Sequence, residues 1–136
     1  MKRPPNRFPP GAPEEWLRHA MNDLAFSQLG LRSEEEFLEQ VCFHAQQAVE
    51  KSLKAVLLHK DISFPLTHDV EELVTLLRKH KIRLPTWAKG LAALTPYAVE
   101  TRYPGYWEPF SITEGKEAVS LAKRAVDWAK KTTRKS

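Results

Sequence analysis

Apolar residues recur every three or four positions along almost the whole chain, and this spacing constrains the fold more than any other feature of the sequence. It is the spacing of an α-helix that buries one face. No segment shows the alternation of apolar and polar residues that is typical of a half-buried β-strand. The sequence therefore predicts an all-α fold, an antiparallel up-and-down bundle of about five helices.

Residues that start and stop helices mark the first two segments. Pro13 suits the first turn of a helix that runs to about Leu29, where a glycine follows. Ser33 and Glu36 have the spacing of a capping box, which predicts that a second helix begins there. This second helix continues to about Lys60 and is the longest element of the predicted bundle.

Three further helices are predicted after the second. The third begins near Thr67 or Asp69, the fourth runs from Pro85 to near Arg102, and the fifth is capped by Ser111 or Thr113. We expect the fourth to end there because Tyr103 precedes a proline, and the residue before a proline avoids helical backbone.

Composition restricts the class of protein. The chain of 136 residues suits one domain with one hydrophobic core. Its longest strictly apolar runs have four residues, such as 55–58, so we expect no membrane span. Cys42 is the only cysteine and falls on an apolar helix face, which predicts an inert thiol in a cytoplasmic protein. Because the histidines and glycines lack metal-ligand and phosphate-loop spacings, we expect no metal and no cofactor.

Charge and proline content set the ends of the chain apart from the middle. Residues 1–13 contain three Lys or Arg and five of the ten prolines, and residues 121–136 contain six Lys or Arg against one acid. We therefore predict a disordered, Pro-rich basic tail at 1–12, a helical domain at 13–132 and a basic tail at 133–136. The middle of the chain is net acidic, which argues against a domain that coats nucleic acid through charge alone.

The predicted second helix has one apolar arc, which consists of Phe37, Leu38, Val41, Cys42, Ala45, Ala48, Val49, Leu53, Ala55 and Val56. A polar stripe follows the helix beside this arc. It consists of Gln40, His44, Gln47, Lys51 and Lys54. One interpretation is a solvated face, and the other is a row of donors for an anionic ligand or a partner. Two apolar residues of this helix, Phe43 and Leu58, fall outside the apolar arc. They indicate a second contact of this helix, with another subunit as one interpretation.

Residues 101–110 combine a cation with several aromatic side chains. Arg102 offers planar donors that suit a phosphate, and Tyr103 and Tyr106 could stack on nucleobases. The alternative is structural. A cation at a helix C-terminus is favourable by itself, and loop aromatics can simply cover the end of a bundle.

The segment from Phe43 to Leu57 reads FHAQQAVEKSLKAVL and resembles the hallmark second helix of the HEPN domain family. Two further motifs occur in the family's order, Thr67-His68-Asp69 before the third helix and Arg102-Tyr103-Pro104 at the end of the fourth. The resemblance extends over about residues 14–132. It implies an antiparallel helical bundle, usually dimeric. Small prokaryotic members are commonly encoded beside a minimal nucleotidyltransferase, often as toxin–antitoxin pairs.

Many members of that family resemble metal-independent RNases with an Arg-x(4–6)-His motif. Here Arg102 is present, but positions 107–109 are Trp, Glu and Pro, so the motif is incomplete. We therefore expect a protein that binds nucleotide or RNA phosphate and acts with a nucleotidyltransferase partner, with little catalysis of its own. The expected ligand-binding residues are Arg102, Tyr103, Tyr106, His44, Gln47, Lys51 and Lys54.

Two other functions stay open. One is an RNase toxin in which Arg102 stabilises charge on the phosphate and a non-standard base moves the proton. The candidates for that base are Glu108, His44 and His68. The other is a purely structural protein-interaction module, in which Arg102 serves only the fold.

Overall fold

The computed structural model describes residues 11–33, 36–98 and 109–134. These residues form four α-helices and one 3₁₀ helix: α1 (Pro13–Leu31), α2 (Leu38–His59), α3 (Val70–Lys79), the 3₁₀ helix (Thr86–Ala98) and α4 (Ile112–Arg134). No β-strand occurs in these three ranges. The prediction of an all-α bundle with about five helices is confirmed.

The helix α2 is the centre of the bundle. It packs against α1, α4, α3 and the 3₁₀ helix, and α1 and α4 also contact each other. Its apolar arc is buried as predicted, apart from Phe37, which is 47% exposed. Several arc residues, such as Ala45 and Ala48, have small side chains that let neighbouring helices approach closely. The buried residues of all five elements form one continuous core.

The two predicted N-caps have opposite outcomes. Ser111 and Glu114 cap α4 reciprocally: the Glu114 N–H donates to Ser111 Oγ at 3.1 Å, and the Ser111 N–H donates to Glu114 Oε1 at 3.2 Å. The prediction that Ser33 opens α2 is wrong, since α2 begins at Leu38 and no side chain caps it. The Glu36 N–H instead approaches the Ser33 carbonyl at 3.5 Å in a turn before the helix.

The fourth predicted helix is a 3₁₀ helix and not an α-helix. Its buried side chains are Ala88, Leu91 and Leu94. They are spaced every third residue, and three residues per turn place them on one face. Pro96 lies inside this helix, where it lacks a donor and disfavours α-helical backbone before it. The end predicted near Arg102 lies outside the described residues.

The helices α2 and α3 end in the same way. Asp61 and Lys81, just past each end, have φ of 57° and 63°. The N–H groups of Ile62 and Ile82 then donate to leucine carbonyls five residues earlier, at 2.8 and 3.0 Å. This is the Schellman arrangement, in which a left-handed residue turns the chain out of the helix. Both isoleucines pack against the core, so each helix end fixes the direction of the following loop.

Tyr97 joins the end of the 3₁₀ helix to the start of α4. Its hydroxyl donates to Glu114 Oε2 at 2.9 Å, and its ring lies 5.0 Å from that of Phe110. Burial, followed by this hydrogen bond, raises the pKa of Tyr97 far above its ordinary value. The phenol therefore stays protonated and keeps donating to Glu114.

The structure covers the predicted tails only in part. The helix α4 continues through Arg134, so residues 133 and 134 are helical. Residues 1–10 and 135–136 lie outside the described ranges. Within those ranges, no helix is both long enough and apolar enough to cross a membrane.

Candidate functional site

Two polar clusters of equal composition join α2 to neighbouring segments. Each contains one carboxylate, one lysine and one histidine. The Asp23 cluster consists of Asp23, His44 and Lys51, and the Glu50 cluster consists of Glu50, Lys54 and His68. In both, the carboxylate accepts from the lysine and lies within hydrogen-bond distance of the histidine Nδ1.

The Asp23 cluster connects α1 to α2. The His44 Nδ1 lies 2.9 Å from Asp23 Oδ1, and the Lys51 Nζ donates to Asp23 Oδ2 at 2.6 Å. His44 and Lys51 are seven residues apart, two turns along one side of the helix. The side chains of Asp23, His44 and Lys51 are 13%, 24% and 23% exposed. The cluster is therefore half-buried and still open to solvent.

Neighbouring aromatic rings hold the imidazole of His44 in place. The Phe26 ring centroid lies 4.3 Å away and the Phe43 centroid 5.2 Å away. An ionised Asp23 can only accept, so the pairing assigns a proton to Nδ1. In the neutral ring Nε2 is then free to accept a hydrogen bond or a proton, and in the charged ring it donates.

The Glu50 cluster connects α2 to the loop before α3. The side chains of Glu50 and Lys54 are 3% and 6% exposed, and their charged atoms lie 3.0 Å apart. The Lys54 ammonium also donates to the Thr67 carbonyl at 2.8 Å. His68 approaches Glu50 from the surface, with its Nδ1 at 3.0 Å and its side chain 72% exposed. This is a buried ion pair with an exposed histidine attached.

Lys54 lies in the interior. Its ammonium lies 5.3 Å from the Trp16 ring centroid and 5.5 Å from that of Phe64. Together with Glu50 and the Thr67 carbonyl, these rings enclose it. The polar stripe predicted on α2 is thus divided: Lys51 faces Asp23, whereas Lys54 faces Glu50.

The Thr67-His68-Asp69 segment is a structural joint between α2 and α3. Gln46 is fully buried and its amide donates to Glu50 at 3.3 Å and to the His68 carbonyl at 3.1 Å. Asp69 caps α3 by accepting from the Glu71 N–H at 2.9 Å. These contacts give the Asp69 side chain and the His68 backbone a role in the fold.

A model of the HEPN domain matches residues 13–132. The chain belongs to the HEPN domain family. Two solved structures are similar to this HEPN domain over 90% of the chain and 98% of their own. One is ST0689, an archaeal HEPN homologue, with 22% identity and a TM-score of 0.66. The other is TT1696 from Thermus thermophilus, with 25% identity and a TM-score of 0.75. No curated protein sequence gives a significant match.

The remaining predicted site residues of this HEPN domain have different positions. Gln47 is half-buried beside the Glu50 cluster, and its amide donates to Gln46 Oε1 at 2.7 Å. Gln40 is exposed near the start of α2. Four predicted residues lie outside the described ranges, namely Arg102, Tyr103, Tyr106 and Glu108. In the ranges that are described, no three His, Cys, Asp or Glu side chains lie together as metal ligands would.

Sequence reasoning missed Asp23 and Glu50, together with Gln46, which donates to Glu50, although the sequence contains a signal for each. Gln46, Glu50 and Lys54 are spaced four residues apart, which predicts a second polar row on α2. Asp23 follows Ala20 by three residues and precedes Ser27 by four, and both of these are fully buried. An acid on a buried helix face requires a partner, because a buried unpaired charge is unstable.

Proposed function

We propose that this HEPN domain binds a nucleotide or an RNA phosphate at the Asp23 cluster and acts with a nucleotidyltransferase partner, with little catalysis of its own. The observation that carries the proposal is the position of Lys51. Its ammonium has three donors, and the structure assigns one of them to Asp23. With the side chain 23% exposed, the other donors can reach a phosphate from solvent.

Asp23 prepares the site for an anion although it is itself an anion. It holds Lys51 and His44 in fixed positions, so less side-chain entropy is lost when a ligand binds. The half-buried setting also strengthens charge interactions relative to a fully solvated surface. Two groups that can donate to phosphate therefore converge beside one carboxylate.

Other parts of the proposal rest on the sequence. Arg102, Tyr103 and Tyr106 are proposed as further contacts to phosphate and base. A homodimer is proposed from the family resemblance and from Phe43 and Leu58, both of which are half-buried. The proposal places the protein in the cytoplasm, in agreement with a chain that has one cysteine.

Calorimetric titration with ribonucleoside triphosphates and a short RNA tests the binding. We expect Lys51→Ala to weaken binding about tenfold or more, since a charge-assisted hydrogen bond contributes about 1.5–3 kcal/mol. Lys123→Ala is the matched control, because Lys123 also pairs with an aspartate, Asp127, but on the surface of α4 at 2.9 Å. Equal affinities for wild type and Lys51→Ala, or a wild type that binds none of these ligands, would contradict the proposal.

A second function is favoured by one specific contact. The 2.9 Å pairing of His44 Nδ1 with Asp23 leaves Nε2 as a proton acceptor, as in carboxylate–histidine pairs that serve as general bases. Such a base could deprotonate the 2′-hydroxyl of RNA beside Arg102. Incubation of the protein with labelled RNA tests this: cleavage that is lost in His44→Ala would favour the RNase. A protein that neither binds nor cleaves would be an interaction module.

A further inference from the structure

A groove of about 380 Å³ lies between the C-terminal end of α1 and the first half of α4. Two apolar residues contribute to it: Leu31, which is half-buried, and Val119, which is 8% exposed. The other described residues that line it are polar, namely Gln28, Lys116, Ser120, Lys123 and Arg124. None of these residues belongs to the Asp23 or the Glu50 cluster, so the groove is a separate feature of the surface.

The cationic side of the groove comes from one face of α4. Ser120 follows Lys116 by four residues, and Lys123 and Arg124 follow Ser120 by three and four. Residues with this spacing are neighbours on a helix surface. All four are exposed. The groove therefore has an apolar part beside a row of basic side chains.

These basic side chains are open to an anionic partner. Among the residues that the structure describes, Lys116 and Arg124 form no ion pair with a carboxylate. Lys123 pairs with Asp127 at 2.9 Å, and the two side chains are 55% and 45% exposed. An ion pair this exposed contributes little to stability, so an incoming carboxylate can take the place of Asp127.

We propose that this groove docks an acidic amphipathic helix of a partner protein. Carboxylates of that helix pair with Lys116 and Arg124, and an apolar side chain between them packs against Leu31 and Val119. Complementary charges around such a contact steer association and fix the orientation of the partner. The inference is independent of the phosphate site proposed on α2.

The distance between the outer cations fits such a helix. Arg124 follows Lys116 by eight residues, which corresponds to about 12 Å along α4. Two acids seven residues apart on a partner helix are separated by about 10.5 Å, and the long flexible side chains of lysine and arginine cover the difference. An apolar residue three or four positions after the first acid lies between the two acids on the same face.

The apolar part of the groove favours a protein over a nucleic-acid backbone. A phosphate chain has no apolar group to place on Leu31 and Val119, whereas the leucines of an amphipathic helix bury apolar surface there.

Fluorescence anisotropy of labelled synthetic peptides tests the proposal. The probe is a peptide of about 18 residues, long enough to form a helix, with leucines on one face and glutamates along the borders of that face. In a matched peptide, glutamine replaces every glutamate, which removes the charge and keeps the size. We expect the acidic peptide to bind wild type about tenfold more tightly than the glutamine peptide, and added salt to reduce this advantage.

Two double variants with the same change in charge locate the binding. Lys116→Glu combined with Arg124→Glu should weaken binding of the acidic peptide about tenfold or more, because attractive contacts become repulsive. Lys60→Glu combined with Arg83→Glu is the control and should bind as wild type does, since neither residue lines the groove. All four positions are exposed, so both variants should fold, and circular dichroism checks this.

Several results would overturn the proposal. Equal binding of the two peptides by wild type would do so, as would an equal loss of affinity in both double variants. A poly-glutamate of the same length that binds as tightly as the acidic peptide would show that charge alone attracts the probe, without an apolar contact. If neither peptide binds, and a short RNA binds wild type but not the Lys116→Glu/Arg124→Glu variant, the groove is an RNA surface. If neither peptide binds, and light scattering shows a wild-type dimer that this variant loses, the groove is an interface between copies.

Discussion

The Asp23 and Glu50 clusters contain the same three chemical groups, yet they differ in burial. In the Glu50 cluster the carboxylate and the lysine are 3% and 6% exposed and only His68 reaches the surface. In the Asp23 cluster all three side chains are between 13% and 24% exposed. A dry ion pair has its charges satisfied by the protein itself, whereas a half-buried one keeps donors that a ligand can reach.

The difference arises from what lies over α2 on each side. Trp16 of α1 and Phe64 of the loop after α2 meet edge to face, 6.1 Å apart, and close over Lys54. The loop is held there because Lys54 and Gln46 bind its carbonyls. Beside the Asp23 cluster, Phe26 is itself half exposed and borders an open groove.

Removal of each carboxylate gives the largest expected effect. Glu50→Ala should lower the free energy of unfolding by about 3–5 kcal/mol, because it leaves the Lys54 ammonium buried without a counter-charge. Asp23→Ala should lower it by only about 1 kcal/mol, because Lys51 and His44 can turn to water. Urea denaturation of the two variants measures the difference.

A double variant checks the reason for that loss. Glu50→Leu combined with Lys54→Met removes both charges and keeps the volume, so it should recover most of the stability that Glu50→Ala loses. If Glu50→Ala and Asp23→Ala are equally destabilised, the difference in burial does not make the two carboxylates energetically different.

Replacement of Ser52 should raise the free energy of unfolding, whereas removal of either carboxylate should lower it. Ser52 lies on α2 between Lys51 and Lys54, and its hydroxyl is, among the described residues, the one buried side-chain polar atom without a hydrogen-bond partner. Ser52→Ala should raise the free energy of unfolding by about 1 kcal/mol, since it removes an unsatisfied polar group. The control is Ser27→Ala, because the equally buried Ser27 hydroxyl donates to the Leu24 carbonyl at 2.8 Å. A loss of stability in Ser52→Ala, or an equal gain in both variants, would contradict this account.

The local signals in the sequence predicted most of the fold. Helical spacing identified the apolar arc of α2. The cap of α4 at Ser111 could be predicted because an N-cap depends only on residues close in the sequence. The 3₁₀ helix was missed, although Ala88, Leu91 and Leu94 already show a spacing of three. The cap predicted at Ser33 is absent because the spacing of Ser33 and Glu36 also fits a turn before the helix.

The division of the polar stripe could not be predicted in the same way. The angle of Lys54 on its helix places it beside Lys51, and only the folded chain brings Trp16 and Phe64 over it. Likewise, Asp23 lies 21 residues before His44 and pairs with it through the packing of α1 on α2. Contacts between distant segments decide burial, and burial decides which lysine can meet a ligand.

Replacement of His44 or His68 by alanine should give the smallest effects on stability, and the two variants should differ most clearly in ligand affinity. His68→Ala should change the free energy of unfolding by no more than about 0.5 kcal/mol, as is usual for exposed side chains. His44→Ala should cost about 1 kcal/mol at most, because Lys51 still pairs with Asp23 after the imidazole is removed. Affinity for tripolyphosphate should fall in His44→Ala alone, since His68 belongs to the cluster that holds the loop. Thermal melting and calorimetry of the two variants measure both quantities. A loss of affinity in His68→Ala with His44→Ala unaffected would instead place the proposed anion site at the Glu50 cluster.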